Sequence, residues 1–160
     1  MLDSDFWGDI GAAPIEFAAL TRVFYNVINN AVKYSDDDHV YVSFLSLPTA
    51  APRDVRFVVY NHISADHYEV LLGQYPHGLS NLFRGGFTTG GSGLGMRTCA
   101  EHVAEDYGLA KIEQCIEGGY VGAAYQQSYF VTWFHWPVAH VQSQPETGAA
   151  RTVGSAAAHL

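Results

Sequence analysis

Eight glycines fall within the 23 residues from Gly73 to Gly95, and no other feature restricts the fold of this sequence as strongly. Glycine has the largest backbone entropy to lose on ordering, so the stretch reads as too flexible for regular structure, and it is too long for a simple turn. It is expected to be a long, lid-like loop between two structured parts. Ahead of it, Pro14 suits a helix start. Phe17, Leu20, Phe24, Val27 and Ala31 then recur at intervals of three and four, which gathers them into one apolar stripe on a helix from Ile15 to Tyr34. Ser35 to Asp38 form a polar break. Val40, Val42 and Phe44 alternate as a strand does, and Pro48 and Pro52 bound a loop. Val55, Phe57 and Val59 alternate toward Asn61, which places that amide at a strand end, where a side chain can be shown to a ligand.

Beyond the glycines, Met96, Ala100, Val103 and Tyr107 mark a second helix that Gly108 can end in a left-handed cap. Two strands are expected around Gly118 and Gly119, and a last strand over residues 129–136, stopped by Pro137. More strands than helices, joined by hairpin-length links, favour an α+β two-layer sandwich over a doubly wound parallel sheet. The division is a lead-in over residues 1–14, one domain over 15–140, and a small, polar, aperiodic tail over 141–160 that reads as disordered.

Charge narrows the partners. Eight basic against sixteen acidic side chains give a net charge of -8, which repels nucleic acid and anionic membrane surfaces. A nucleotide remains open, because placed backbone N–H groups, a few cations and Mg²⁺ hold one locally. Cys99 and Cys115 lack a CxxC spacing and suit a reduced, cytoplasmic protein. No apolar run has the length of a membrane span, so any membrane anchor of a longer protein would lie outside this chain.

Two motifs carry chemistry. In "NVINNAVKYS", Asn26 and Asn30 stand four residues apart and project from one helix face, with Lys33 and Tyr34 just beyond. An asparagine carbonyl oxygen is a hard ligand suited to Mg²⁺, and a nearby lysine can neutralise phosphate. In "GGSGLGM", Gly91, Gly93 and Gly95 alternate just before a helix, where bare backbone and the helix N-terminus can approach an anion. No strand precedes these glycines as a Rossmann fingerprint requires, and no GxxxxGK[ST] is present.

In this order the segments resemble the catalytic domain of two-component sensor histidine kinases, within the superfamily that also holds gyrase, the Hsp90 chaperones and MutL. "NVINNAVKYS" is similar to the N box, "VRFVVYNHIS" stands at the G1 box, "LFRGGFTT" is similar to the F box, and "GSGLGM" to the G2 box. The resemblance implies a Bergerat-type sandwich with a mixed, mostly antiparallel sheet and helices on one face. It implies that ATP or ADP binds with Mg²⁺ on Asn30, phosphate at Lys33, and Tyr34, Asn61, Phe87, Thr88, Thr89, Gly91, Gly93, Leu94 and Gly95 around the nucleotide. Asn26, Lys33 and Arg84 become the candidates for the transfer chemistry. Phe83 and Phe87 would anchor the lid. Asn26 replaces the glutamate that activates water in hydrolysing relatives, and an amide is no general base, so hydrolysis should be slow. The implied reaction passes the γ-phosphoryl group to a histidine on a separate dimerisation and phosphoacceptor domain, and through it to a response regulator.

Two departures matter. The G1 box of the family usually reads Asp-x-Gly-x-Gly, whereas this chain has Asn61-His62-Ile63-Ser64-Ala65. Asn61 can still accept from an adenine amino group but without charge, a difference on the order of 1 kcal/mol. No phosphoacceptor box is visible either; His102 reads as a structural or solvated histidine on a packing helix. Alongside an active kinase domain, a degenerate regulatory domain acting through protein contacts therefore stands as the alternative.

Overall fold

A computed structural model describes residues 2–4, 14–47, 54–86 and 93–138. In chain order the elements are strand β1 (Leu2–Ser4), helix α1 (Pro14–Tyr34), strands β2 (Val40–Ser46) and β3 (Asp54–His62), and helix α2 (Ala65–Gln74). A 3-10 helix (Leu79–Arg84) follows, then α3 (Gly95–Asp106), α4 (Ile112–Glu117), β4 (Val121–Gln126) and β5 (Tyr129–Pro137). The five strands form one sheet in the order β1-β2-β3-β5-β4. The β1–β2 pair is parallel and the other three are antiparallel, the mixed, mostly antiparallel sheet expected.

Burial alternates along β3, with Val55, Phe57, Val59 and Asn61 turned inward. Their register partners continue the same face: Phe134 lies opposite Phe57, and Phe130 opposite Asn61. Phe24 of α1 stands edge-on to Phe57 and Phe134, with centroids 4.8 and 5.1 Å away, so the helix stripe keys into the sheet through aromatic rings. Behind α1, α3 buries Cys99, Ala100 and Val103. The opposite sheet face carries Tyr41 stacked on its cross-strand partner Tyr60 at 5.0 Å, with Tyr129 edge-on at 5.9 Å from Tyr60. Tyr60 thus points away from Asn61, as strand alternation requires.

Three expectations are corrected. The glycine-rich stretch is not one irregular loop: α2 runs to Gln74, and the 3-10 helix buries Leu79, Leu82 and Phe83 in the core. Gly73 falls in the last turn of α2 and Gly78 at the N-cap of the 3-10 helix, while Leu79 and Leu82 at three-residue spacing, with Phe83, give that helix an apolar side. Ahead of Gly118 stands α4 rather than a strand, with Ile112, Cys115 and Ile116 spaced for one helical face. Leu2 to Ser4 of the lead-in pair with β2 as an edge strand. The tail over residues 141–160 lies outside the described residues.

Candidate functional site

Asn26 and Asn30 sit half-buried on successive turns of α1. Because α1 and α3 pack side by side, the G2 glycines are brought against the N box. A Cβ added to Gly95 would stand 3.4 Å from Asn26 Oδ1, in van der Waals contact with the N-box amide. The Cys99 thiol, pushed up to about 12 by burial, stays protonated and donates to the Val23 carbonyl at 3.7 Å, one turn ahead of Asn26. Leu94, the N-cap of α3, offers the first-turn N–H groups no side-chain acceptor of its own. Gly93 takes a positive φ of 68°, and its carbonyl accepts from the Gly86 N–H at 3.3 Å. Phe87, Thr88, Thr89 and Gly91 lie outside the described residues. Leu94 itself is 53% exposed, directed off the core.

One turn beyond Asn30, Lys33 is exposed with its ammonium 4.9 Å from the Tyr34 ring centroid. Tyr34 stacks on His67 of α2 at 5.0 Å. Asn61 is 1% exposed, donates Nδ2 to the His62 carbonyl at 3.2 Å, and among the described residues accepts no hydrogen bond at Oδ1. That oxygen is not sealed: the one sealed, unpartnered side-chain atom among the described residues is His102 Nε2. Asn61 Oδ1 is thus open to a donor from outside the described residues.

The segment standing at the G1 box is stitched to its surroundings. His62 Nδ1 meets Asp36 Oδ1 at 2.5 Å while the His62 carbonyl accepts from the Asp36 N–H at 3.2 Å. Ile63 is buried, and its N–H donates to Ser128 at 3.0 Å. Ser64 caps α2 by accepting from the His67 N–H at 3.2 Å. His67 carried no signal in the sequence, whereas His62 and Ile63 stood out as the residues that could narrow an adenine pocket. The polar run Ser35–Asp38 facing the end of β3 was the available signal, but it reads equally as an ordinary turn.

Arg84 stands at the end of the 3-10 helix with Nε on Asn81 and its guanidinium 3.3 Å from Glu113 and 3.8 Å from Glu117 of α4. The structure thus brings Asn26 to Gly95 and Tyr34 to α2, and commits Arg84 to the acidic face of α4. Among the described residues, no cluster of three histidine, cysteine or carboxylate side chains is arranged to hold a metal, which leaves the amides of α1 as the hard donors near the glycines.

The family model for histidine kinase-, DNA gyrase B-, and HSP90-like ATPases matches residues 16–149. The chain belongs to this family. Among solved structures, the catalytic domain of histidine kinase ThkA in a nucleotide-free form aligns with a TM-score of 0.53 at 19% identity, over 86% of this chain and 78% of that one. Full-length ShkA in complex with AMPPNP aligns with a TM-score of 0.52 at 19% identity, over 86% of this chain and 26% of that one. No curated protein matches. The likeness to histidine kinase catalytic domains read from the four boxes is therefore met at the level of family and fold. Among the described residues, no helix is long and apolar enough to cross a membrane.

Proposed function

We propose that this domain binds Mg-ATP and donates the γ-phosphoryl group to a histidine on a separate dimerisation and phosphoacceptor domain, feeding a cytoplasmic two-component phosphorelay that ends on a response regulator. The observation that carries the reading is the meeting of Asn26 with Gly95, which puts an amide row, a bare backbone and an uncapped helix end on one side of the fold. These groups suit a triphosphate. The α3 N–H groups and Gly93 receive phosphate oxygens, Lys33 lowers their charge, and Asn30 offers its carbonyl oxygen to the metal. Magnesium, when bound, screens the charge that builds up between phosphates in transfer. Tyr34 and Asn61 hold the base end, with Phe87, Thr88, Thr89, Gly91 and Leu94 closing over the phosphates. Asn26, having no basic group to offer, positions rather than activates, so water is a poor competitor for the phosphoryl group. Arg84 reaches the γ-phosphate only on leaving Glu113 and Glu117.

The test supplies γ-labelled ATP together with a separate histidine-bearing helical domain. Label that appears on the partner, withstands base and is lost in acid is the expected result, with Asn30→Ala reducing it at least a hundredfold. Label released only as free phosphate, at a rate indifferent to the partner, sinks the proposal.

A second reading has its own observation. Asn61 is almost fully buried and the G1 segment is tied down at His62 and Ile63. Those ties suit a regulatory domain that keeps the fold and acts by protein contact. A Mg²⁺-dependent nucleotide shift in melting temperature, abolished by Asn30→Ala, decides against it.

A further inference from the structure

The inner-face row that contains Asn61 runs across the sheet as Val40, Asn61, Phe130 and Tyr125, each in register with the next. Helix α2 follows directly on the G1 segment and is fastened to this row's surroundings by two ring stacks. His67 lies on Tyr34 at 5.0 Å with an interplanar angle of 29°, and Tyr68 lies on Tyr125 at 3.7 Å and 15°. Otherwise α2 is lightly held: none of its residues is fully buried, while Tyr68 and Leu71 pack partly against the core. Four residues ahead of α2, Asn61 is 1% exposed with Oδ1 open and unpartnered among the described residues. An aromatic ring already occupies the face of Tyr34, on the residue that ends the N-box helix.

We infer that His67 acts as an internal plug, its imidazole occupying the stacking place on Tyr34 that a nucleotide base would take, so that base binding must displace His67 and lift the first turn of α2. This rests on the nucleotide-binding reading above and adds to it the residue that sets affinity at the base end. The chemistry suits the exchange. Adenine is a flat heteroaromatic ring system like imidazole but larger, so it gains more contact on the phenol than the imidazole gives up, and it brings an amino donor for Asn61 Oδ1. His67 is kept neutral by burial, which lowers its pKa, so the displaced ring carries no charge to desolvate. The cost of displacement is the stack itself plus the Tyr68–Tyr125 stack, if the whole turn moves.

The experiment titrates wild type, His67→Ala and His67→Trp with ADP and Mg²⁺, and in parallel with inorganic tripolyphosphate, which has no base. Removing the plug should tighten ADP binding roughly three- to tenfold, and the larger indole should weaken it, an aromatic pair being worth about that factor. Tripolyphosphate affinity should be the same in all three proteins. Unchanged or weaker ADP binding by His67→Ala overturns the inference while leaving the nucleotide reading intact. A tripolyphosphate affinity that rises in step with that for ADP also overturns it, since His67 would then act on general stability or on charge. Absence of ADP binding in all three removes the nucleotide reading and the plug together.

Discussion

Two residues far from the glycines show how locally this fold is specified. Gly122 of β4 is in register with Trp133 of β5, and the indole lies across the place where a Cβ would stand. The ring is held there by its N–H donating to the Gly119 carbonyl at 3.1 Å. Gly122→Ala should therefore destabilise by about 1–3 kcal/mol through overpacking, read as a lower denaturant midpoint at unchanged slope. His135, 7% exposed, accepts from Arg56 Nε at 2.9 Å, and its Nδ1 faces Asp54 at 3.2 Å. Burial lowers its pKa, aided by Arg56 and opposed by Asp54. With the folded value below the unfolded one of about 6.5, the unfolded chain binds the extra proton, so stability is whole above about 6.5 and falls as pH drops below it. Asp106, raised to about 6 by burial and by Glu16 and Glu105, works the other way. The His135 share is thus read as a difference. Between about pH 7.5 and about pH 5.5, His135→Gln should lose less melting temperature than wild type. An equal loss in both proteins contradicts the assignment.

At the scale of elements, periodicity made α1, α3 and the three main strands legible because their apolar faces are long and regular. Leu20 to Ala31 and Val55 to Val59 needed no tertiary information, whereas Phe17, expected in the same stripe, is 66% exposed. The Asn61 position was legible for the same reason, since alternation carries the inward face one step past Val59. What escaped was short or weakly amphipathic. The segment "ADHYEVLLGQ" has outward Val70 and Leu72 beside inward Tyr68 and Leu71, so α2 shows no clean stripe. The 3-10 helix was hidden by the glycines around it, although Phe83 was expected to anchor the lid and is 0% exposed. Phe83→Ala should cost about 3–5 kcal/mol, the range for emptying a buried aromatic site. A loss below about 1 kcal/mol would mean that the 3-10 helix is not part of the core. Links such as Asp36 to His62 could not be read at all, because a contact between a turn and a strand end leaves no pattern in sequence.

For the whole molecule, the sheet and its two packed helices bring distant boxes onto one side, and the phosphate end and base end then differ in character. The proposed phosphate end combines Asn26, Asn30, Gly93 and Gly95 with the start of α3. The proposed base end has α2 stacked on Tyr34 and Tyr125 and is tied at His62 and Ile63. On the proposed reading, the second decides how tightly the chain holds a nucleotide. Its most direct test is the melting temperature at millimolar ADP with and without Mg²⁺, for wild type and Asn30→Ala. With micromolar affinity, linkage should add about 4 kcal/mol and raise the wild-type midpoint by roughly ten degrees with the metal present, and by clearly less without it or in Asn30→Ala. A wild-type midpoint that ADP and Mg²⁺ leave unmoved would contradict the account at its centre.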